Sequence, residues 1–112
     1  MQILRQSRAN MDKKDKYFMI TSPEIKKVQE IKNTKQKILD FIIYEDVNST
    51  TGEIHNVLSI KTESGVYASN SKTLIESFEK IVECFGEDFT TIAINTQRSN
   101  KGREFLVAAF VD

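Results

Sequence analysis

The chain has 112 residues, of which 39% are hydrophobic and 29% charged, and its net charge is zero. This length fits one domain with a single modest core. The chain holds no apolar run of the roughly 18 residues needed to cross a bilayer, and its N-terminus lacks the apolar stretch of a secretory signal. Because Cys84 is the single cysteine, an internal disulfide is excluded and a cytoplasmic location is expected.

The zero net charge hides an asymmetry along the chain. Residues 1–37 hold ten Lys or Arg against four Asp or Glu, a balance of +6, and residues 38–112 hold six against twelve, a balance of −6. We interpret residues 1–20 as a flexible basic arm, without stable structure in residues 1–16, and residues 21–112 as the folded domain. Such an arm is either a solvated tail or a contact to phosphate or to an acidic neighbouring subunit.

Two short patterns lie at the end of the arm and directly after it. Residues 17–20 (YFMI) are an apolar run that fits either a strand or the hydrophobic end of the arm. The sequence Thr21-Ser22-Pro23 is typical of a helix start. A short amphipathic helix is then predicted from the spacing of Ile25, Val28 and Ile31.

Two strands are predicted next. Residues 37–47 (KILDFIIYEDV) form a long first strand, and a polar turn at 48–53 joins it to a second strand over 54–62. Alternate residues of the second strand share a face. The face interpreted as core holds Ile54, Asn56, Leu58 and Ile60. The face interpreted as exposed holds His55, Val57, Ser59 and Lys61.

A third strand over 66–69 leads into a helix that Ser69, Asn70 or Ser71 caps. A continuous apolar stripe runs along this helix, and Gly86 ends it as a left-handed cap. The stripe consists of Leu74, Ile75, Phe78, Ile81, Val82 and Phe85. Two more strands follow over 89–95, where Ile92 and Ile94 point inward, and over 105–111. The alternating apolar set of the last strand is Phe105, Val107, Ala109 and Val111.

Strand, strand, strand, helix, strand, strand is the order of the OB-fold, a small β-barrel that often binds single-stranded nucleic acid. We therefore predict a mainly β protein built as one OB-fold barrel of order β-β-β-α-β-β, preceded by the basic arm. In this fold the outward faces of the second and third strands lie beside the first and last hairpin loops.

No catalytic or metal-binding constellation competes with a binding function. The single His and the single Cys are 29 residues apart and form no ligand cluster. Cys84 is interpreted as a small buried hydrophobe, and His55 is the only imidazole that could act as a base. The four glycines form no phosphate loop. We expect no enzyme activity, no cofactor and no small-molecule substrate.

Binding of a single strand needs cations that follow the backbone and flat side chains that stack on bases, at about 1–3 kcal/mol per base. The predicted cations are Lys61, Arg98, Lys101 and Arg103, of which the last three lie in the final turn. The other predicted groove residues are Tyr44, His55, Ser59 and Tyr67. Tyr67 is the best stacking candidate because it alternates with Val66 and Ala68. The competing interpretations are a tyrosine at the barrel rim and a turn that only adds solubility.

Several of these stretches resemble a known family. TGE at 51–53, GVYAS at 65–69, the helix over 71–86 and SNKGR at 99–103 are similar to the small single-stranded DNA-binding proteins of Gram-positive phages and conjugative plasmids. The similarity covers roughly residues 36–111. It implies an OB-fold and sequence-independent coating of single-stranded DNA during phage or plasmid replication and transfer. It also implies binding roles for Tyr67 and Lys101.

Two features depart from the better-known bacterial single-stranded DNA-binding proteins. Those proteins end in a flexible acidic tail that recruits partners, whereas this chain stops at Asp112, directly after a strand. The basic arm is also unusual. We expect it to dock on a neighbouring subunit or on the DNA and to assemble a homo-oligomer along the strand. The residues expected to do so are Ile3, Leu4, Tyr17 and Phe18.

Two other functions stay open. The same barrel, through a sheet edge or the arm, would serve as a non-enzymatic protein-interaction module of a phage or plasmid, which the acidic body favours. A small nuclease would need a metal-binding carboxylate cluster. The only close set is Asp40, Glu45 and Asp46, and Asp40 alternates away from Glu45.

Overall fold

The computed structural model describes residues 1–8, 11–86 and 91–111. The protein is mainly β, as predicted. In chain order the elements are β1 (Gln2–Gln6), α1 (Lys13–Thr21), β2 (Lys26–Lys27), a 3₁₀ helix (Val28–Ile31), β3 (Thr34–Lys37), β4 (Asp40–Val47), β5 (Ile54–Thr62), β6 (Gly65–Ser69), α2 (Lys72–Phe85), β7 (Thr91–Arg98) and β8 (Glu104–Phe110).

The strands form two sheets. A five-stranded sheet has the order β1-β4-β5-β6-β2, and a three-stranded sheet has the order β3-β7-β8. Only Ile38 and Leu39 separate β3, in the three-stranded sheet, from β4, in the five-stranded sheet. The predicted first strand over 37–47 corresponds to β4 and overlaps β3 only at Lys37. The strand β3 pairs with β7, and β4 pairs with β5, both antiparallel.

The predicted barrel is not closed. The outer edge of β6 is taken by the two-residue strand β2, which pairs with it in parallel. The outer edge of β8 is taken by α2: the Thr73 hydroxyl donates to the Leu106 carbonyl at 2.9 Å, and the Ala108 amide donates to the Ser77 hydroxyl at 2.8 Å. These side chains satisfy backbone groups that a further strand would otherwise bind. Among the described residues, β6 and β8 therefore do not pair.

The helix α2 forms as predicted. The Ser71 hydroxyl accepts the Leu74 amide at 3.3 Å, and Gly86 ends the helix at a φ of 63° that favours glycine. The apolar stripe is buried against both sheets in the main core, except for Phe85, which is 41% exposed. The Phe85 ring instead stacks on Phe110, with 4.0 Å between the ring centroids.

Two apolar assignments made from the sequence are wrong. In β8 the buried side chains are Leu106 and Ala108, because they lie opposite Thr96 and Ile94 on the inward side of β7. The alternating set, Phe105, Val107, Ala109 and Val111, therefore lies on the outward side. Cys84 is exposed rather than buried, since it lies beside the buried stripe of α2 and not within it. The predicted strand residue Phe89 lies outside the described residues.

The N-terminal segment (residues 1–21) folds onto the five-stranded sheet where it is described, which corrects the prediction that residues 1–16 lack stable structure. The strand β1 pairs antiparallel with β4, placing Ile3 opposite Tyr44, with a bulge around Leu4. Asp12 caps α1 by accepting the Lys14 amide at 2.7 Å. Met11 before α1 and Met19 within it are buried.

The elements predicted for residues 17–31 also need correction. Residues 17–20 belong to α1, which ends at Thr21. Ser22 has a ψ of 134°, the extended conformation that a following proline favours. The sequence Thr21-Ser22-Pro23 therefore ends a helix instead of starting one. Only the 3₁₀ helix remains of the predicted amphipathic helix.

Asp40 fastens the N-terminal segment to the start of β4. Its buried carboxylate accepts from the Arg8 guanidinium at 3.0 and 3.1 Å and from the Ser7 hydroxyl at 2.9 Å. The hydrogen bond and the charge of Asp40 raise the pKa of the Arg8 guanidinium above its ordinary value. The Arg8 guanidinium therefore keeps its positive charge across the neutral pH range.

Replacing Asp40 with asparagine should loosen this segment. An amide leaves Arg8 without its carboxylate partner, so we expect the melting temperature to fall by several degrees and the amides of residues 2–7 to exchange faster. The matched control is Glu63→Gln, which removes the exposed partner of Lys37 at 3.9 Å and should change nothing measurable. Wild-type exchange rates in the Asp40 variant would show that this network does not hold the segment.

Candidate nucleic-acid interface

An open groove of about 620 Å³ lies between the end of β6 and the start of β8. We call it the β6–β8 groove. One wall is formed by Lys27 and the beginning of the 3₁₀ helix, and His55 at the start of β5 contributes another. Phe105 contributes the β8 side. The groove exists because β2 borders only two residues of β6 and because α2, not a strand, occupies the edge of β8.

The β6–β8 groove is lined by both polar and apolar side chains. His55 and Phe105 are flat rings, and Lys27 supplies an ammonium group. The remaining hydrogen-bonding side chains on the lining are Gln29, Ser69, Asn70 and Ser71. The one carboxylate on the lining, Glu104, lies 3.5 Å from the Lys32 ammonium. That ion pair reduces the repulsion that Glu104 would exert on an anionic ligand.

A basic hairpin turn (residues 98–103) begins where the groove ends. The turn is closed by the Ser99 amide on the Arg103 carbonyl and by the Gly102 amide on the Ser99 carbonyl, both at 2.9 Å. Gly102 has a φ of 78°, which favours glycine. Arg98, Lys101 and Arg103 are all exposed. Among the described residues none of the three forms an ion pair, so their charges are available to a ligand.

The single continuous groove predicted from the sequence does not form. His55 and Lys61 lie at opposite ends of one face of β5, and α1 lies across the middle of that face. There Val57 is buried and Ser59 is 0% exposed, with its hydroxyl donating to the Met19 carbonyl at 2.7 Å. The prediction that this face is exposed is therefore wrong at Val57 and Ser59.

Tyr67 does not face solvent. It is 5% exposed and belongs to the main core, and its hydroxyl lies 2.9 Å from that of Ser64. The Lys26 ammonium sits 5.9 Å from its ring centroid. Val66 and Ala68 pack in a second cluster on the opposite face of the sheet. Tyr67 alternates with Val66 and Ala68 as predicted, but both faces of the sheet are covered. The Tyr67 ring therefore points into the main core and not to solvent.

Tyr44 is also buried, in the second cluster beneath the N-terminal segment. Burial raises the pKa of its phenol, and the nearby charge of Asp46 raises it further. The ring therefore remains a neutral packing residue. Of the predicted groove residues, His55 alone reaches the β6–β8 groove, whereas Lys61 lines a separate hollow beside Phe18 and Lys26.

The four residues predicted for oligomerisation divide into two groups. Ile3 packs against the second cluster and so belongs to the body. Leu4 is 46% exposed at the bulge of β1, and Tyr17 and Phe18 on α1 are 70% and 40% exposed. Three of the four are thus available to a partner.

The sequence did not reveal the groove positions Phe105 and Lys27. A signal for Phe105 existed, since it stands two residues after Arg103 in the basic turn, but its apolar alternation favoured a core position. Lys27 carried no signal, because only the pairing of β2 with β6 brings it to the groove.

No protein-family model, curated protein or solved structure matches this chain. Within residues 1–8, 11–86 and 91–111, no three His, Cys, Asp or Glu side chains lie together so as to hold a metal ion. None of the described helices is long and apolar enough to cross a membrane.

Proposed function

We propose that this protein binds single-stranded DNA without catalysis, using the β6–β8 groove for bases and the basic hairpin turn for phosphates. The observation that carries the proposal is the juxtaposition of two flat side chains, His55 and Phe105, with the three exposed cations of the turn. The resemblance to small single-stranded DNA-binding proteins points the same way. On that basis the protein coats DNA in the cytoplasm during phage or plasmid replication or transfer.

The architecture supports the same proposal. From β4 to β8 the chain follows strand, strand, strand, helix, strand, strand, and β3 and β4 together serve both sheets. We propose that this is an OB-fold with an open seam between β6 and β8, a fold described as a partly open five-stranded barrel that binds oligonucleotides. The β6–β8 groove is that seam.

The chemistry of the groove suits a ligand without defined sequence. Rings stack on any base at about 1–3 kcal/mol per base, because every base has a π-face. Cations bind phosphate and release counterions, so affinity falls as salt rises, with a slope of about −0.7 per contact for a single strand. Neither interaction reads the identity of the base.

Fluorescence anisotropy with a labelled oligothymidylate, at low and at moderate salt and with a duplex control, tests the proposal. We expect saturable binding that favours the single strand and weakens with salt. His55→Ala and Phe105→Ala should each lower affinity by about 5- to 150-fold if the ring stacks on a base. The control Phe110→Ala removes an exposed ring of β8 that does not line the groove and should bind as wild type.

Absence of binding at low salt would reject the proposal and favour a protein-interaction module. One observation supports that second candidate. Among the described strands, β1 pairs only with β4, so its other edge is open to a strand from a partner. The same edge, with Leu4 exposed beside it, supports assembly of several copies of this chain.

A further inference from the structure

The helix α1 presents its aromatic residues outward. Residues four apart on a helix share a face, so Lys13 lies beside Tyr17 and Lys14 beside Phe18. All four are exposed, and Tyr17 is 70% exposed. Met19 is the only buried residue of α1. Packing against the sheet therefore does not account for two aromatic rings among lysines on the outer face.

Phe18 also borders a hollow of about 630 Å³ at the turn between β5 and β6. Lys26 and Lys61 lie on the same lining, together with the carboxylates of Glu24 and Glu63. Glu63 is 3.9 Å from the Lys37 ammonium. Among the described residues, the lysines at 13, 14, 26 and 61 form no ion pair. The helix face and the hollow together are therefore positively charged, even with Asp15 of α1 included.

The helix α1 lies between the β6–β8 groove and the hollow. His55 and Lys61 share one face of β5 and are six residues apart, a span of about 20 Å in a strand. The Ser59–Met19 hydrogen bond of 2.7 Å holds α1 over the residues between them. A chain that leaves the β6–β8 groove at His55 and continues toward Lys61 thus passes over the outer surface of α1.

We infer that α1 and the hollow form a second contact surface for single-stranded nucleic acid, with Tyr17 and Phe18 stacking on bases and the four lysines binding phosphates. This surface combines the flat rings and the cations that binding of a single strand requires. The inference rests on the proposed function and extends its site from one groove to a path across the molecule. The Tyr17 and Phe18 rings then bind nucleic acid and not a second copy of the chain.

The test compares two oligothymidylates, of about 4 and about 16 nucleotides, which bracket the site sizes of OB folds. The double variant Tyr17→Ala/Phe18→Ala should lower affinity for the long oligonucleotide by about 5- to 150-fold for each base that loses its stacking partner. It should leave affinity for the short one unchanged. Phe85→Ala, which removes a ring of similar exposure at the far end of α2, is the matched control.

A second variant tests the lysines without removing any ring. Lys13→Gln/Lys14→Gln should reduce the slope of log affinity against log salt by about 1.4 for the long oligonucleotide, at about 0.7 per lost phosphate contact. Because these side chains are exposed, both variants should keep the wild-type melting temperature.

Three results would overturn the inference. The first is unchanged affinity of both variants for the long oligonucleotide, with His55→Ala still weakening both lengths, which leaves the proposed function intact. The second is an equal loss of affinity of the double variant for both oligonucleotides, since the α1 surface would then not be separate from the β6–β8 groove. The third is a change in oligomeric mass of the DNA-free double variant in light scattering, which would make α1 an assembly surface. If wild-type protein binds neither oligonucleotide, the proposed function fails as well.

Discussion

Tyr67→Ala is expected to lower the free energy of unfolding by about 3 to 5 kcal/mol, as for other large aromatic residues removed from a core. The ring is 5% exposed and packs within the main core, and its removal leaves a cavity that neighbouring strands cannot easily fill. Lys26 loses its contact with the ring as well. Urea denaturation followed by circular dichroism measures the change.

Tyr67→Phe is the matched control for this variant. It keeps the ring and removes only the hydroxyl that lies 2.9 Å from Ser64, so the expected loss is about 0.5 to 1.5 kcal/mol. A Tyr67→Ala protein with wild-type stability and reduced DNA affinity would contradict the buried position. It would favour the exposed stacking ring that the sequence alone predicts.

Removing the three cations of the basic hairpin turn should lower both the affinity for DNA and its dependence on salt. If each of Arg98, Lys101 and Arg103 contacts one phosphate, their replacement by alanine reduces the salt slope by about 2. This change in slope corresponds to an affinity loss on the order of 50-fold near physiological salt. Anisotropy titrations at four or more salt concentrations measure both quantities.

The control for the triple variant is Lys80→Ala, which removes an exposed cation of α2 that does not line the β6–β8 groove. Its salt slope should equal that of the wild type. Because the three replaced side chains are exposed, the melting temperature of the triple variant should also be unchanged. An unaltered slope in the triple variant would mean that the turn contributes only solubility.

From β4 onward, most of the fold could be predicted from residue patterns. The spacing of Leu74, Phe78 and Ile81 marks one face of a helix, and Ser71 and Gly86 mark its ends. The strand β5 was predicted with the bounds that the structure shows. Each of these signals is local, because the residues that create it lie within one element.

The N-terminal third could not be predicted in this way. Ile3, Met11 and Met19 do not follow a helical or strand periodicity, and their positions depend on contacts with β4 and β5. Those contacts also bury Ser59 on a face where only Val57 of four residues is apolar. A sheet covered on both sides does not show the alternation of apolar and polar residues that a half-exposed sheet shows, so the exposed face was assigned wrongly.

The candidate site was predicted in part. His55 and the basic hairpin turn could be found, because a lone histidine on a strand and a cluster of cations in a turn are visible in the sequence. The groove between them depends on which edges of β6 and β8 are occupied, which no single segment determines. The prediction that Tyr67 is exposed is wrong for the same reason as the prediction for Ser59: both faces of the sheet are covered.

The capping of β8 by Thr73 and Ser77 has a mechanical consequence. Strands in a closed barrel are joined by ladders of backbone hydrogen bonds, and a gap between them opens only if several such bonds break together. Here β6 and β8 are linked through a helix that holds β8 by two hydroxyl hydrogen bonds. The width of the gap therefore depends on the position of a helix rather than on a backbone ladder. A small shift of α2 would change that width while every strand pair stays intact.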